Sequence, residues 1–549
     1  MNVRPAPRRR PRRCLNRRLA SALLVAAAAA FLAGGTGTKP SPSGVGASVE
    51  TRLQSTQPAP LGKDPFVVRI AIGSEPTVLD PHDASDAPSA LVNFHLYDRL
   101  VELDDQMNPR PSLAQAWQVS ADGLTWKLTL RTDVTFHDGT PFDAEAVVVN
   151  LQRLADPQAA LARRNLLGEY IETVRATGRY EVEVKLLRPV ASFLRLLAHE
   201  AHSMISPAAL AAHRRGEPFQ PIGTGPFLLE EWIPGTRLVL AANQAHWRGA
   251  PAVDRLILLT TPDGSQRVIM LETGAADLIY PVDPVHYPRL RAAPGIEAVA
   301  LPSQRMIYLA LNLTRPPFDD LRVRRAAAAA VDRAAIAGHL LRGLATAADA
   351  PLAPQTWGYT PLGKEGFRYD PVRAAAILEE VYRGQPPPLT LWGPSNRYPQ
   401  DKLVAQAVAA YLESVGFTVQ IRLFEWGTYL ALLRRSSDWD LALLGWVPAT
   451  GDADMALRPL FAVGARANHG GYASPAVDRL LKAAAEEIDR DRRLALYREA
   501  QAQLVADAPV IWLYSLHTAL AHRAHIGGVR LLPNELLDAR GLHRVKGGR

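Results

Sequence analysis

Three groups of residues in this 549-residue chain could do chemistry. Asp452 and Asp454 lie two apart in a loop of small residues, a spacing that could pair a general acid with a general base. No His or Lys stands at a defined spacing from them, so solvated loop acids or a helix N-cap compete with that reading. His199, Glu200 and His202 form the tightest histidine grouping and could ligate a metal, against the plainer reading of a polar loop at a domain edge. The third group is Arg397-Tyr398, Trp426 and Trp446. A guanidinium grips a carboxylate through two parallel hydrogen bonds. An aromatic ring beside it packs on a ligand while keeping a polar tip. No G-x-S-x-G elbow, H-E-x-x-H pair or G-x-x-x-x-G-K-[ST] loop occurs. The glycines at 223 and 225 lack the strand–turn–helix context of a nucleotide site. The chemistry on offer is therefore binding, with no nucleophile–base pair for catalysis.

The third group gains weight from the elements that must carry it. Residues 389–392, 419–424 and 441–444 read as strands, the first and last as short apolar runs, and each is followed by a helical pattern. Arg397-Tyr398 follows the first strand, Trp426 the second and Trp446 the third. If the three strands are parallel, all three deliveries share one sheet edge, where α/β folds bind ligands. The loop after the third strand adds Ala449, Thr450 and Asp452. Ser85 and Asp86, in a small-residue loop ahead of the helical pattern with Leu91, Phe94 and Leu96, complete the candidate ligand contacts together with His202.

The length calls for two or three domains. The formal charge of +8 is confined to the N-terminus. Eight Arg precede residue 20, and removing residues 1–35 leaves 62 − 8 = 54 Lys and Arg against 54 Asp and Glu. The body is neutral, and no basic stripe with interleaved aromatics points to nucleic acid. The basic segment, the apolar run 19–33 and the small residues after it read as an export signal over residues 1–35. Residues 36–65, rich in Pro, Ser, Thr and Gly, read as a flexible tether. The only cysteine, Cys14, lies inside the signal, so the exported chain has no disulfide, catalytic thiol or lipid-anchor cysteine.

The remaining patterns are alternating strands at 66–72, 126–130, 182–186, 308–312 and 510–514, with helices between them. Asp143 stands near the N-cap of a helix over 143–154, Ser206-Pro207 opens another with Pro207 in its first turn, and Pro371 starts a third over 371–382. Residues 510–514 are expected to cross back to the first lobe.

Several segments together carry a family resemblance: residues 111–117 (PSLAQAW) with 122–126 (DGLTW), 130–142 (LRTDVTFHDGTPF), 223–227 (GTGPF), 312–332 (NLTRPPFDDLRVRRAAAAAVD) and 369–371 (YDP). The chain resembles the extracytoplasmic solute-binding proteins of family 5, the peptide, nickel and glutathione receptors of ABC importers. The resemblance implies a two-lobed α/β periplasmic binding protein, with hinge-joined lobes and a ligand cleft between them. Lobe I would comprise 66–302 plus 514–549, with an extra subdomain at about 87–220, and lobe II 303–513. It implies a monomer that takes no cofactor and hands a peptide-like solute to a membrane permease and its ATPase. Within the family, dipeptide receptors hold the ligand carboxylate with an Arg matching Arg397, and the ligand amine with an Asp where this chain has Ala449. Without that carboxylate, the amine loses a charge-assisted hydrogen bond of roughly 1.5–3 kcal/mol. Residues 445–461 (GWVPATGDADMALRPLF) and 197–210 (LAHEAHSMISPAAL) look more like the glutathione-binding branch. Glutathione or a short or modified peptide is thus the expected ligand. An opine, chelated nickel through His199 and His202, or a hydrolase on the same scaffold are the alternatives.

Overall fold

The computed structural model describes residues 64–362, 367–395, 397–448 and 450–545. The export signal, the tether up to residue 63 and Ala449 lie outside the described residues. An 11-stranded sheet organises the rest. At its centre, the 16-residue strand Ile296–Leu311 runs antiparallel to the 14-residue strand Val510–Arg523. On one side follow Leu441–Trp446, Leu389–Pro394 and Val419–Phe424. On the other follow Leu278–Tyr280, Val67–Ile72, Arg255–Thr260, Arg237–Ala242 and Phe227–Ile233. The molecule is thus two α/β lobes joined by two strands that belong to both.

Sequence pattern marks only the apolar ends of these joining strands, at 308–312 and 510–514. Residues 296–302 contribute to the ladder although they are mostly half-buried and include Glu297 and Pro302. Their alternation is too weak to read as a strand. The register shifts between Pro302 and Met306, where proline has no N–H for the ladder.

Leu441–Leu444 are fully buried because their strand lies inside the sheet, covered on both faces. One core packs Ile307, Leu309, Leu441 and Leu443 against the helices Leu321–Ala330 and Asp401–Ser414. Another packs Val68, Ile70, Leu240 and Leu256 of the opposite half-sheet. A separate four-stranded antiparallel sheet, in the order Ala114–Val119, Thr125–Leu130, Glu181–Leu186, Ile171–Gly178, carries its own core around Trp126, Phe193 and the helix Ala144–Ala155. The expected cap at Asp143 is in place, and Ser206 and Asp370 likewise each accept a backbone N–H of the first turn ahead of Pro207 and Pro371. Among the described residues no helix is long and apolar enough to cross a membrane.

Candidate functional site

The strand Leu389–Pro394 pairs in parallel with both Val419–Phe424 and Leu441–Trp446. Their C-terminal ends therefore share one edge, as the binding reading requires. The turn that leaves the first strand is set by Asp401, whose Oδ2 accepts from the backbone N–H groups of Arg397 (2.8 Å) and Tyr398 (3.2 Å). The Tyr398 hydroxyl reaches across to accept from the Gly445 N–H at 2.8 Å. Only glycine permits this approach, since a Cβ at 445 would lie 2.6 Å from the Ile307 side chain and 2.9 Å from the Tyr398 ring. Trp426 sits edge-on to Tyr398, with ring centroids 5.9 Å apart. The Arg397 guanidinium lies 5.2 Å from the Tyr398 ring centre and 5.1 Å from that of Trp426.

Arg397 is half-buried, and among the described residues its guanidinium donates to no protein acceptor. Burial, and then the nearby Arg305, lower its basicity without discharging it. Arg305 itself is satisfied, with Nε 3.0 and 3.2 Å from the two carboxylate oxygens of Glu535. Burial raises the Glu535 pKa, but Arg305 outweighs it and holds the carboxyl below its usual range. Arg397 is thus a cation framed by two aromatic rings, with its hydrogen-bonding fork available to a carboxylate.

The acids of the next loop are differently placed. Asp452 is fully buried, and its Oδ2 and Oδ1 accept from Arg493 at 2.9 and 2.7 Å. Oδ1 also caps the helix Ala453–Phe461 through the Asp454 N–H, and Arg195 lies 3.4 Å from Oδ2. Asp454 holds Arg458 through two 2.8 Å bonds. Both carboxylates serve the protein's own arginines, which corrects the acid/base expectation and leaves Asp452 closed to a ligand. Thr450 is also fully buried, its hydroxyl without a partner among the described residues. Trp446 is half-buried, with Nε1 donating to the Met455 carbonyl at 2.7 Å.

Asp86 caps the helix Ala87–Leu96 and accepts from the Thr77 and Ser89 hydroxyls. Ser85 is exposed, and its carbonyl accepts from Arg163 at 2.8 Å. His202 is fully buried, with Nδ1 against the Leu196 carbonyl. That makes Nδ1 the protonated nitrogen. In His199, Nδ1 accepts from the Ala201 N–H at 2.9 Å, so its proton sits on Nε2 and no lone pair remains for a metal. Burial depresses both pKa values to about 3. The pair is neutral and buried, with His199 Nδ1 and His202 Nδ1 each engaged by a backbone group of their own segment. Among the described residues no three metal-ligating side chains converge.

Sequence reasoning missed the middle of the site. Gln304 follows the break at Pro302, and its Nε2 donates to the Gln355 carbonyl at 2.8 Å. The backbone of Gly451, with φ of 63°, passes Gln304 and the Met107 side chain so closely that a Cβ there would lie 2.6 Å from the Met107 methyl. Around this contact the side-chain oxygens of Gln304, Gln355, Thr356, Thr450 and Asn534 are buried without partners among the described residues. Each orphaned group costs roughly 1–3 kcal/mol, so such a concentration suits a polar solute. Gln304 and Thr450 were marked in the sequence only by their place near Pro302 and Gly451, and Gln355, Thr356 and Asn534 by nothing.

The two lobes touch around this region. Arg195 reaches Asp452, Arg458 donates to the Tyr170 hydroxyl at 3.1 Å, and the Ala191 N–H donates to the Ala485 carbonyl at 3.0 Å.

Residues 108–468 match the family described as bacterial extracellular solute-binding proteins, family 5. The glutathione-binding protein GsiB of Pectobacterium atrosepticum is 34% identical over 85% of this chain and 92% of its own length. The chain belongs to this family. GsiB of Salmonella paratyphi A is 33% identical over 87% of this chain and 94% of its own. Among solved structures, the periplasmic binding protein DppA of Helicobacter pylori, in complex with a peptide, shares 25% identity with a TM-score of 0.74, covering 87% and 98% of the two chains. HbpA2 of Haemophilus parasuis shares 25% identity with a TM-score of 0.76, covering 87% and 100%. The two-lobed architecture of the family-5 receptors is therefore that of this chain.

Proposed function

We propose that the chain is the substrate-binding component of an ABC importer, capturing glutathione or a short or modified peptide in the periplasm and delivering it to a membrane permease driven by an ATPase. It works as a monomer and catalyses no reaction. Lobe I spans 66–302 and 514–549, with the subdomain at about 87–220, and lobe II spans 303–513. The carrying observation is Arg397, a guanidinium held over Tyr398 and Trp426 at the meeting of three parallel strand ends, with its donors unclaimed among the described residues. A ligand carboxylate bound there touches lobe II. Contacts to lobe I then exist only in the closed form, so ligand shifts the open–closed equilibrium. The position of Ala449 supports a solute whose amine is not held as in dipeptide receptors.

The test is a thermal-shift screen of the exported chain against glutathione, dipeptides, longer peptides, opines and chelated nickel. A ligand at 100 times its Kd stabilises by about 2.7 kcal/mol. Absence of a shift with every peptide-like solute sinks the substrate assignment.

A further inference from the structure

Two groups of lobe I meet the loop 450–452 of lobe II. The first is Met107, at the tip of a turn that Asp104 builds by accepting from the backbone N–H groups of Gln106 and Asn108 at 3.0 and 2.8 Å. Its φ of 60° is left-handed, a conformation that a residue with a side chain keeps only where its surroundings enforce it. Gly451 opposite is left-handed too, and its missing side chain is what admits the Met107 methyl. The second group is Arg195. Its Nη1 donates to the Met107 carbonyl, so turn and guanidinium form one unit. Its Nε lies 3.4 Å from Asp452 Oδ2, and among the described residues no other carboxylate comes within 4.0 Å of it.

Lobe II satisfies Asp452 without this visitor. Arg493 takes both carboxylate oxygens and donates from Nε to the Ala484 carbonyl at 3.0 Å, and the Asp454 N–H adds a third bond to the carboxylate. Arg195 thus brings a second guanidinium to a carboxylate that is already neutralised. Its side chain is nevertheless only 8% exposed. Burial lowers its basicity, and Asp452 restores part of it. A cation that lobe II does not need, buried where the lobes meet, acts on their separation. The same seam carries the bond from the Ala191 N–H to the Ala485 carbonyl. It also carries Ile488, between the helices Pro475–Glu486 and Arg490–Asp507, which lies so close to Gly123 that a Cβ there would be 3.1 Å from it. Opening the lobes severs these contacts and returns Arg195 to water.

We propose that Arg195, braced by the Met107 turn, is a latch: it docks on Asp452 and holds the closed form through the protein's own groups, with or without a solute between the lobes. The inference rests on the chain being a receptor that closes on its solute, and adds that part of the closing free energy is independent of that solute. A receptor whose closed form is already populated loses less affinity to the closing step. Arg195 is therefore a positioning residue. It slows release by keeping the lobes together, not by contact with the solute.

The experiment reads the distance between the lobes in the absence of any solute. Cys14 is the only cysteine and lies inside the export signal, so Gln118→Cys with Arg492→Cys, both at exposed positions, place two spin labels on the exported chain and nowhere else. Double electron–electron resonance is expected to show a short and a long distance in this labelled chain. Arg195→Gln is expected to shift their ratio tenfold or more toward the long one, and Arg195→Lys, which keeps the charge, to recover part of the short one. Glutathione, used as the probe in stopped flow, is expected to leave Arg195→Gln tenfold faster. The urea midpoint of the solute-free chain is expected to stay close to wild type, because Arg493 still holds Asp452. If Arg195→Gln does not fold, Gly451→Ala serves, since its Cβ meets Met107 only when the lobes touch. The proposal is overturned if Arg195→Gln leaves the distances unchanged, if the solute-free wild type shows the long distance alone, or if the urea midpoint falls while the distances stay. If glutathione binds and Arg195→Gln neither opens the lobes nor speeds release, the receptor reading stands and this one falls. If Arg195→Gln opens the lobes and no peptide-like solute binds, the latch stands and the substrate assignment falls.

Discussion

Two loops leave neighbouring parallel strands of lobe II, and both deliver charge. The loop after Leu389–Pro394 presents Arg397 over aromatic rings with its donors unclaimed among the described residues. The loop after Leu441–Trp446 presents Asp452 and Asp454, whose carboxylates are tied to Arg493 and Arg458. Both loops carry charged residues just past the C-terminal end of a parallel strand. What separates a binding loop from a structural one is whether the protein itself satisfies the charge. The comparison has a sharp consequence: mutations in one loop should act on affinity, and those in the other on stability.

The largest effect belongs to Asp452. Asp452→Ala leaves Arg493 and Arg195, both nearly inaccessible, without their shared carboxylate. Breaking a buried pair in this way costs about 3–5 kcal/mol, read as a lower urea midpoint for the ligand-free chain. A midpoint shift under 1 kcal/mol would mean the loop is not structural and would collapse the contrast.

Acid separates stability from binding in a second way. Neither loop contributes a histidine, whereas lobe I buries His82 and His95, whose pKa values burial depresses to about 4. Between pH 7 and 5 the unfolded chain takes up protons that these two refuse. Their stabilisation is complete above the unfolded pKa of about 6.5 and is lost as pH falls toward 4, about 2 kcal/mol for each by pH 5. Urea unfolding at pH 7 and 5 should show this loss, with a shallower dependence in His95→Gln. Arg397 stays charged throughout, so affinity for a carboxylate ligand should change little over the same range while the protein remains folded.

Arg397→Ala provides the opposite signature. Loss of the guanidinium weakens a carboxylate ligand tenfold or more, on the order of 1.4 kcal/mol, while the urea midpoint of the ligand-free chain stays close to wild type. Calorimetry showing unchanged affinity removes Arg397 from the site.

How much of this was legible before the structure depended on range. The strands at 389 and 441 were readable because buried parallel strands are apolar runs, the one at 419 because its edge position leaves an alternating pattern, and the cap at Asp143 because capping is a local rule. The delivery of Arg397, Trp426 and Trp446 to one edge followed from those strands once they proved parallel. The fate of Asp452 was not readable. Its partners, Arg493 and Arg195, are far away in sequence and carry no periodic signal. The same limit hid Gln304, Gln355 and Asn534, which converge only when both lobes and the joining strands are assembled. It also made His199 and His202 resemble ligands, since their tautomers are set by backbone groups that spacing does not reveal.

The smallest expected effect tests how the structural loop participates in closure. Arg458, held by Asp454, donates to the Tyr170 hydroxyl of the lobe I subdomain. This bond joins the lobes and exists only when they meet. Tyr170→Phe removes the acceptor but keeps the ring, and Arg458 retains Asp454, so no buried charge is stranded. A hydrogen bond to a partly exposed guanidinium contributes about 1 kcal/mol at most. Its loss should therefore appear as up to fivefold faster ligand release in stopped-flow measurements, with an unchanged urea midpoint without ligand. A lower midpoint with unchanged release would place this contact on the structural side of the comparison. Faster release would show that the loop denied to the ligand still regulates it, through the closed state it helps to hold.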